Sequence, residues 1–126
     1  MALQTPIARA RGLGSAREGF GHWKLQRLTA LANVPLVLWF VFSAMALAGS
    51  SYAEIVAWLS SPVSATLMVL LIASTFYHAR LGVQVVIEDY VHHEGIRVAS
   101  LAAVTLVITA LAAACIVAVL KVSIGS

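Results

Sequence analysis

The sequence predicts an all-α membrane protein built on three transmembrane helices. Three observations carry this reading. The 126-residue chain is 61% hydrophobic and has only 13 charged side chains, far fewer than the roughly one quarter of residues usual in soluble domains. The charges also leave three long gaps: 26 residues between Arg27 and Glu54, 25 between Glu54 and Arg80, and 23 between Arg97 and Lys121. Each gap exceeds the ~18–20 apolar residues that cross a ~30 Å hydrocarbon core as a helix.

The spans are expected at about 28–49, 63–88 and 98–120, which makes 28–126 a three-helix anchor behind an N-terminal segment at 1–27. That segment holds five of the eight Lys and Arg residues: Arg9, Arg11, Arg17, Lys24 and Arg27. By the positive-inside rule the N-terminus is then cytoplasmic, the loop at 50–62 and the C-terminus outside, and the loop at 89–97 inside. Arg97 in the inner loop agrees, and Lys121 at the outer end is the one dissent. The segment has no apolar core, so it does not read as a secretory signal. Being Arg-bearing and acid-poor, it shares a feature with mitochondrial transit peptides, but a tail flanking the first span is the simpler reading. A basic balance of this origin is no argument for nucleic-acid binding.

Along the first span, Pro35 removes one backbone donor and reads as a tolerated bend. The outer loop "AGSSYAEIVAWLSSP" has room for a short interfacial helix near 53–59, with Tyr52, Trp58 and Trp39 as interfacial anchors or lipid-facing filler. "SSPVSAT" has the grammar of a helix start, with serines able to cap and Pro62 in the first turn. The third span, Ala-rich with interspersed Ser and Thr, suits close helix packing in lipid. Its Cys115 is the single cysteine, and a lone thiol can form neither an internal disulfide nor a cysteine cluster. Three helices without an extramembrane domain enclose no sizeable site by themselves. One subunit of a larger complex is expected.

The chemistry is concentrated at the end of the second span, "HARLGVQVVIEDY", residues 78–90. At 100° per residue His78, Gly82, Val85 and Asp89 fall within one narrow stripe, with Tyr90 about 120° round. His78 lies ~16 Å along the helix from Asp89, near mid-membrane, while Asp89 and Tyr90 reach the cytoplasmic interface. A histidine at that depth can be a hydrogen-bonding group between helices, a proton-relay member or an axial haem ligand. For the last, Gly82 one turn away would leave a flat surface for a macrocycle. Asp89 and Tyr90 can either mark the helix leaving the membrane or meet a lipid-soluble quinone. Arg80 projects about 200° from His78, and its long stem could snorkel toward the cytoplasm or toward an acid on a partner, with no firm role assigned. His92 and His93, in the inner loop, read as surface histidines.

These residues carry a resemblance. His-x-x-x-Gly followed by Asp-Tyr on the second of three spans, together with "GFGHWKLQRLTA" at 19–30 and its Arg27, Thr29 and Ala30, resembles the hydrophobic membrane-anchor subunit of succinate dehydrogenase (succinate:quinone oxidoreductase, respiratory complex II), in its alphaproteobacterial and mitochondrial form. The resemblance implies half of a heterodimeric anchor bundle. It implies haem b shared with a second membrane-anchor subunit, with His78 as one axial ligand and a histidine of that second anchor as the other. Tyr90 would hydrogen-bond ubiquinone, and Asp89 would support that site. Arg27 would face a haem propionate. His22 would join it, on a spacing to Arg27 one residue shorter than in some members. Arg80 stands where some relatives carry an aromatic.

The implied partners are the second membrane-anchor subunit, the iron–sulfur subunit, the flavoprotein reached through it, and membrane lipids, with no nucleic acid. The chain would be a non-catalytic subunit of the enzyme, set in a bacterial inner membrane in preference to a mitochondrial one. The rival readings are the anchor of a fumarate reductase or another quinone-linked dehydrogenase, and a cofactor-free membrane assembly subunit.

Overall fold

The computed structural model describes Pro6 and residues 16–125, residues 16–20 by backbone alone. The basic-tail residues Arg9 and Arg11 therefore lie outside the described residues, as does the side chain of Arg17. Four helices follow one another: α1 (Ala16–Ala46), α2 (Tyr52–Ser60), α3 (Pro62–Tyr90) and α4 (Glu94–Gly125), and no strand occurs among the described residues. Three stretches, Gly21–Ala46, Pro62–Tyr90 and Glu94–Gly125, are long and apolar enough to cross a membrane. At 1.5 Å per residue the shortest extends roughly 39 Å, so each outreaches a ~30 Å hydrocarbon core and must tilt or project from it.

The helices are longer than the charge gaps suggested, because capping and not charge decides where a helix ends. α1 begins in the basic segment, well before residue 28, and runs unbroken through Pro35. It stops at Ala46, where the chain turns through Gly49 at φ 81°, a left-handed conformation that glycine adopts without strain. α4 starts one turn earlier than expected because His93 caps it. The His93 ring Nδ1 accepts the Ile96 N–H at 3.2 Å, and its carbonyl accepts the Arg97 N–H at 2.9 Å. A Cβ at Gly95 would sit 3.2 Å from the His93 ring, so the glycine leaves space for the imidazole to fold back. His93 is thus a structural cap as well as a loop histidine.

The serines divide their work differently from expectation. Ser61 is the N-cap of α3 with Pro62 in the first turn, but its side chain makes no capping bond. Ser51 caps α2 instead, in a reciprocal box: Glu54 N–H donates to Ser51 Oγ at 3.3 Å, and Ser51 N–H donates to Glu54 Oε2 at 2.7 Å.

α3 is the central helix. It packs against α1 on one side and α4 on the other, while α1 and α4 make no contact among the described residues. α2 closes the far end against α3 and α4. Trp39 of α1 and Trp58 of α2 stack at 5.6 Å and 20°, so these rings pack on each other, a more specific arrangement than lipid-facing filler. A row of three helices cannot cover itself. Only Ser64, Ala65, Leu81 and Val119 are buried among the described residues, and Leu31, Phe42, Met45 and Leu106 are each about two-thirds exposed or more. Such an apolar surface needs lipid or other transmembrane helices around it.

The α2 cap generates a prediction. The Ser51 backbone N–H, and after it the Ser51 side chain, hold the Glu54 carboxyl below its usual value of 4.5. A depressed carboxylate stabilises above the unfolded value and loses that contribution as pH falls through the folded one. Ser51→Ala should speed amide exchange across 52–60 about fivefold at neutral pH. Glu54→Gln, which mimics the acid form, should do so to a smaller degree. Unchanged exchange in both variants would remove the box from the account.

Candidate functional site

The polar residues of α1 share one face. His22, Gln26, Thr29 and Asn33 fall at about 0°, 40°, 340° and 20° around the helix, and all four are partly buried. This face meets α3. Thr29 Oγ1 lies 3.0 Å from His78 Nδ1 across the seam, and Ser74 Oγ, one turn before His78, donates to the Thr29 carbonyl at 3.5 Å. The same Thr29 hydroxyl reaches back to the carbonyls of Leu25 at 2.9 Å and Gln26 at 3.0 Å.

His78 is therefore bonded through one ring nitrogen only. Its Nε2 has no partner among the described residues, and they do not bury it. A Cβ added at Gly82 would meet nothing within 4 Å, so the chain leaves open space one turn beyond the imidazole. Two other polar atoms on the α1 face, His22 Nε2 and Asn33 Oδ1, are buried without a partner among the described residues. In a low-dielectric setting an unsatisfied polar atom is costly, so both atoms call for a bond that the described residues do not supply.

These features fit a haem: an imidazole anchored by Nδ1, a free Nε2, a neighbouring glycine without atoms over it, and an orphan imidazole on the facing helix. Among the described residues no three His, Cys, Asp or Glu side chains lie together as a metal cage. The interhelical bond was one of the readings open for His78, and it is present. It is compatible with ligation, because ligating histidines ordinarily donate their second nitrogen to a neighbour.

Arg27 stands apart from this seam. It projects about 160° from Thr29, is exposed, and places its guanidinium carbon 5.1 Å from the Trp23 ring centroid. Arg27 and His22 thus lie on different faces of α1, with only His22 on the α3 side. Asp89 and Tyr90 end α3, both exposed, Tyr90 at 78%. Neither has a hydrogen-bond partner among the described residues.

Two polar elements escaped the reading of sequence. Thr29 was visible only as part of a motif, and the signal for its place was the 3.6-residue period of His22, Gln26, Thr29 and Asn33. Arg80 turns to the opposite side of α3, where its Nε donates to Thr105 Oγ1 of α4 at 3.4 Å. The two line a groove of about 500 Å³ with Gln84, Leu101, Ala102 and Leu106. Gln84 in turn donates to Glu88 at 2.9 Å.

Comparison with known proteins gives the family. The profile of the succinate dehydrogenase/fumarate reductase transmembrane subunits matches residues 1–119. The succinate dehydrogenase hydrophobic membrane anchor subunit of Rickettsia bellii (strain RML369-C) is 37% identical over 89 residues, covering 71% of each chain. That of Rickettsia conorii (strain ATCC VR-613 / Malish 7) is 30% identical over 75% of this chain and 76% of its own. The succinate dehydrogenase membrane anchor subunit of Reclinomonas americana is 32% identical over 68% of this chain and 73% of its own. No solved structure matches significantly. The profile covers nearly the whole chain and these relatives more than two thirds of it, so the protein belongs to the family of succinate dehydrogenase/fumarate reductase transmembrane subunits, a membrane anchor that is not catalytic alone.

Proposed function

We propose that this chain anchors a succinate:ubiquinone oxidoreductase in the bacterial inner membrane, supplying half the ligation of a b-type haem and part of a ubiquinone-reduction site. The observation that carries the reading is His78, bonded to Thr29 through Nδ1 with Nε2 left free beside the open surface at Gly82. The second axial histidine would come from a partner anchor subunit. That partner would also cover the apolar faces that a row of three helices leaves exposed. A bound haem would supply a one-electron store between the iron–sulfur subunit and the quinone.

The remaining work falls to this chain's own side chains. Nε2 of His78 is left without a partner among the described residues, in a helix held on both sides by α1 and α4. Arg27 carries a planar fork of N–H donors suited to a propionate carboxylate. His22, whose buried Nε2 lacks a partner among the described residues, can take the same role from the other face of α1. At the end of α3, Tyr90 can donate its phenolic hydrogen to a quinone carbonyl. Asp89 beside it can hold or pass a proton as the ring is reduced. Their exposure in this chain suits a pocket completed by an iron–sulfur subunit, to which a flavoprotein would attach. Succinate dehydrogenase in the names of the relatives favours this direction over fumarate reduction.

Three outcomes test the proposal. The purified complex should show a b-type band in a reduced-minus-oxidised spectrum, and His78→Ala should abolish it. A band that survives the substitution removes His78 as ligand. Tyr90→Phe should lower succinate-driven quinone reduction about tenfold, the scale of one lost hydrogen bond, while succinate oxidation by an artificial acceptor is unchanged. Equal loss of both activities would instead mean failed assembly. For orientation, a cysteine at Ser50 should react with an impermeant thiol reagent in intact cells and one at His92 should not. The reverse pattern inverts the topology.

A further inference from the structure

We infer that Thr29 is a positioning residue for His78: its hydroxyl dictates which imidazole nitrogen carries the proton and so presents Nε2 as the lone-pair donor. The inference rests on the reading of His78 as an axial ligand. It goes beyond that reading by naming the group that prepares the ligand before any metal arrives.

A threonine hydroxyl has one hydrogen to donate and two lone pairs with which to accept. On a helix that hydrogen commonly goes back to a carbonyl three or four residues earlier. Both such carbonyls are in reach of Thr29 Oγ1, Leu25 at 2.9 Å and Gln26 at 3.0 Å. The hydrogen is thus shared between two backbone acceptors, and a lone pair faces His78 Nδ1 at 3.0 Å. With the hydroxyl hydrogen so placed, the imidazole is the donor. A neutral imidazole has one N–H, so Nδ1–H leaves Nε2 bare, the form able to ligate a metal. In the opposite tautomer the hydroxyl would have to turn its one hydrogen away from both backbone carbonyls to Nδ1.

The backbone makes this arrangement durable. Ser74 Oγ, on the same face of α3 one turn before His78, donates to the Thr29 carbonyl at 3.5 Å. The two helices are therefore joined twice at one residue, through its hydroxyl and through its carbonyl. Rotation or sliding of α3 that would carry His78 away must break both links. Donation from Nδ1–H also raises the basicity of Nε2, and a more basic axial nitrogen favours the ferric over the ferrous state. Loss of the hydroxyl should move the haem midpoint potential to more positive values.

The test uses the intact purified complex in lipid nanodiscs, with redox titration of the b-type band and EPR of the ferric haem. Thr29→Val removes the hydroxyl at nearly constant shape, and Thr29→Ser keeps it. The valine complex should show a positive shift in midpoint potential and altered ferric g-values, and the serine complex should match the wild type. Thr29→Ala replaces the valine variant if that chain does not assemble. Failure of both to load haem, with serine loading normally, supports the inference. A wild-type potential and EPR spectrum in Thr29→Val or Thr29→Ala overturns it. Failure of Thr29→Ser together with the others also overturns it, because shape and not the hydroxyl would then decide. A b-type band that persists in His78→Ala marks failure of the ligand reading itself, whereas its loss there with an unmoved Thr29→Val potential condemns this inference alone.

Discussion

The placement of His78 depends on one hydrogen bond, made across the α1–α3 seam between its Nδ1 and the Thr29 hydroxyl. In hydrocarbon a polar atom has only its own protein to bond, so an imidazole at mid-membrane depth is tolerated only where a partner is built in. Yet interhelical hydrogen bonds in membranes average about 0.6 kcal/mol, too little to justify a buried histidine by stability. What such a bond does supply is direction. It holds the ring by one nitrogen and leaves the other free, and the rest of the fold is consistent with that purpose. α3 runs between two neighbours, Ser74 reinforces the same contact, and Gly82 keeps the adjacent surface clear.

How far the sequence could reveal this depends on which physical signal each feature leaves. The three spans were legible because charge is expelled from hydrocarbon, and that rule acts on every residue of a span. Helix ends were less legible. They depend on single capping groups, and His93 Nδ1 or Gly49 at positive φ extends or stops a helix independently of the charge gaps. The capping box at Ser51 and Glu54 has a local spacing, yet the serines before Pro62 looked equally able to cap. Short-range grammar offers several candidates and the backbone chooses among them.

At the site the same contrast holds. His78, Gly82, Asp89 and Tyr90 lie on one helix, and a projection of that helix alone sorted them into a deep face and an interfacial end. Thr29 is 49 residues from His78, and no pattern within either helix announces the pairing. Its only trace was the polar period on α1. The contact between faces requires the seam, and the seam is set by packing of the whole row. Arg27 illustrates the limit in reverse. Its motif linked it to His22, but five residues of helix turn them about 140° apart, onto different faces.

α3 also separates two kinds of polarity that its composition mixes. His78 faces α1, while Arg80 faces α4, where it reaches Thr105 at 3.4 Å. An arginine at the centre of a membrane helix costs about 3 kcal/mol on insertion scales, several times the ~0.6 kcal/mol that one interhelical hydrogen bond returns. Arg80 therefore is not held for the stability of this chain by itself. Its long apolar stem allows the charge to reach toward the C-terminal end of α3, along the side that Gln84 and Glu88 make polar through their 2.9 Å bond. Mid-membrane charge on that side leaves the deep His78–Gly82 surface without a neighbouring cation on its own helix. Division of α3 into two faces thus keeps the arginine's charge on the α4 side and the imidazole on the α1 side.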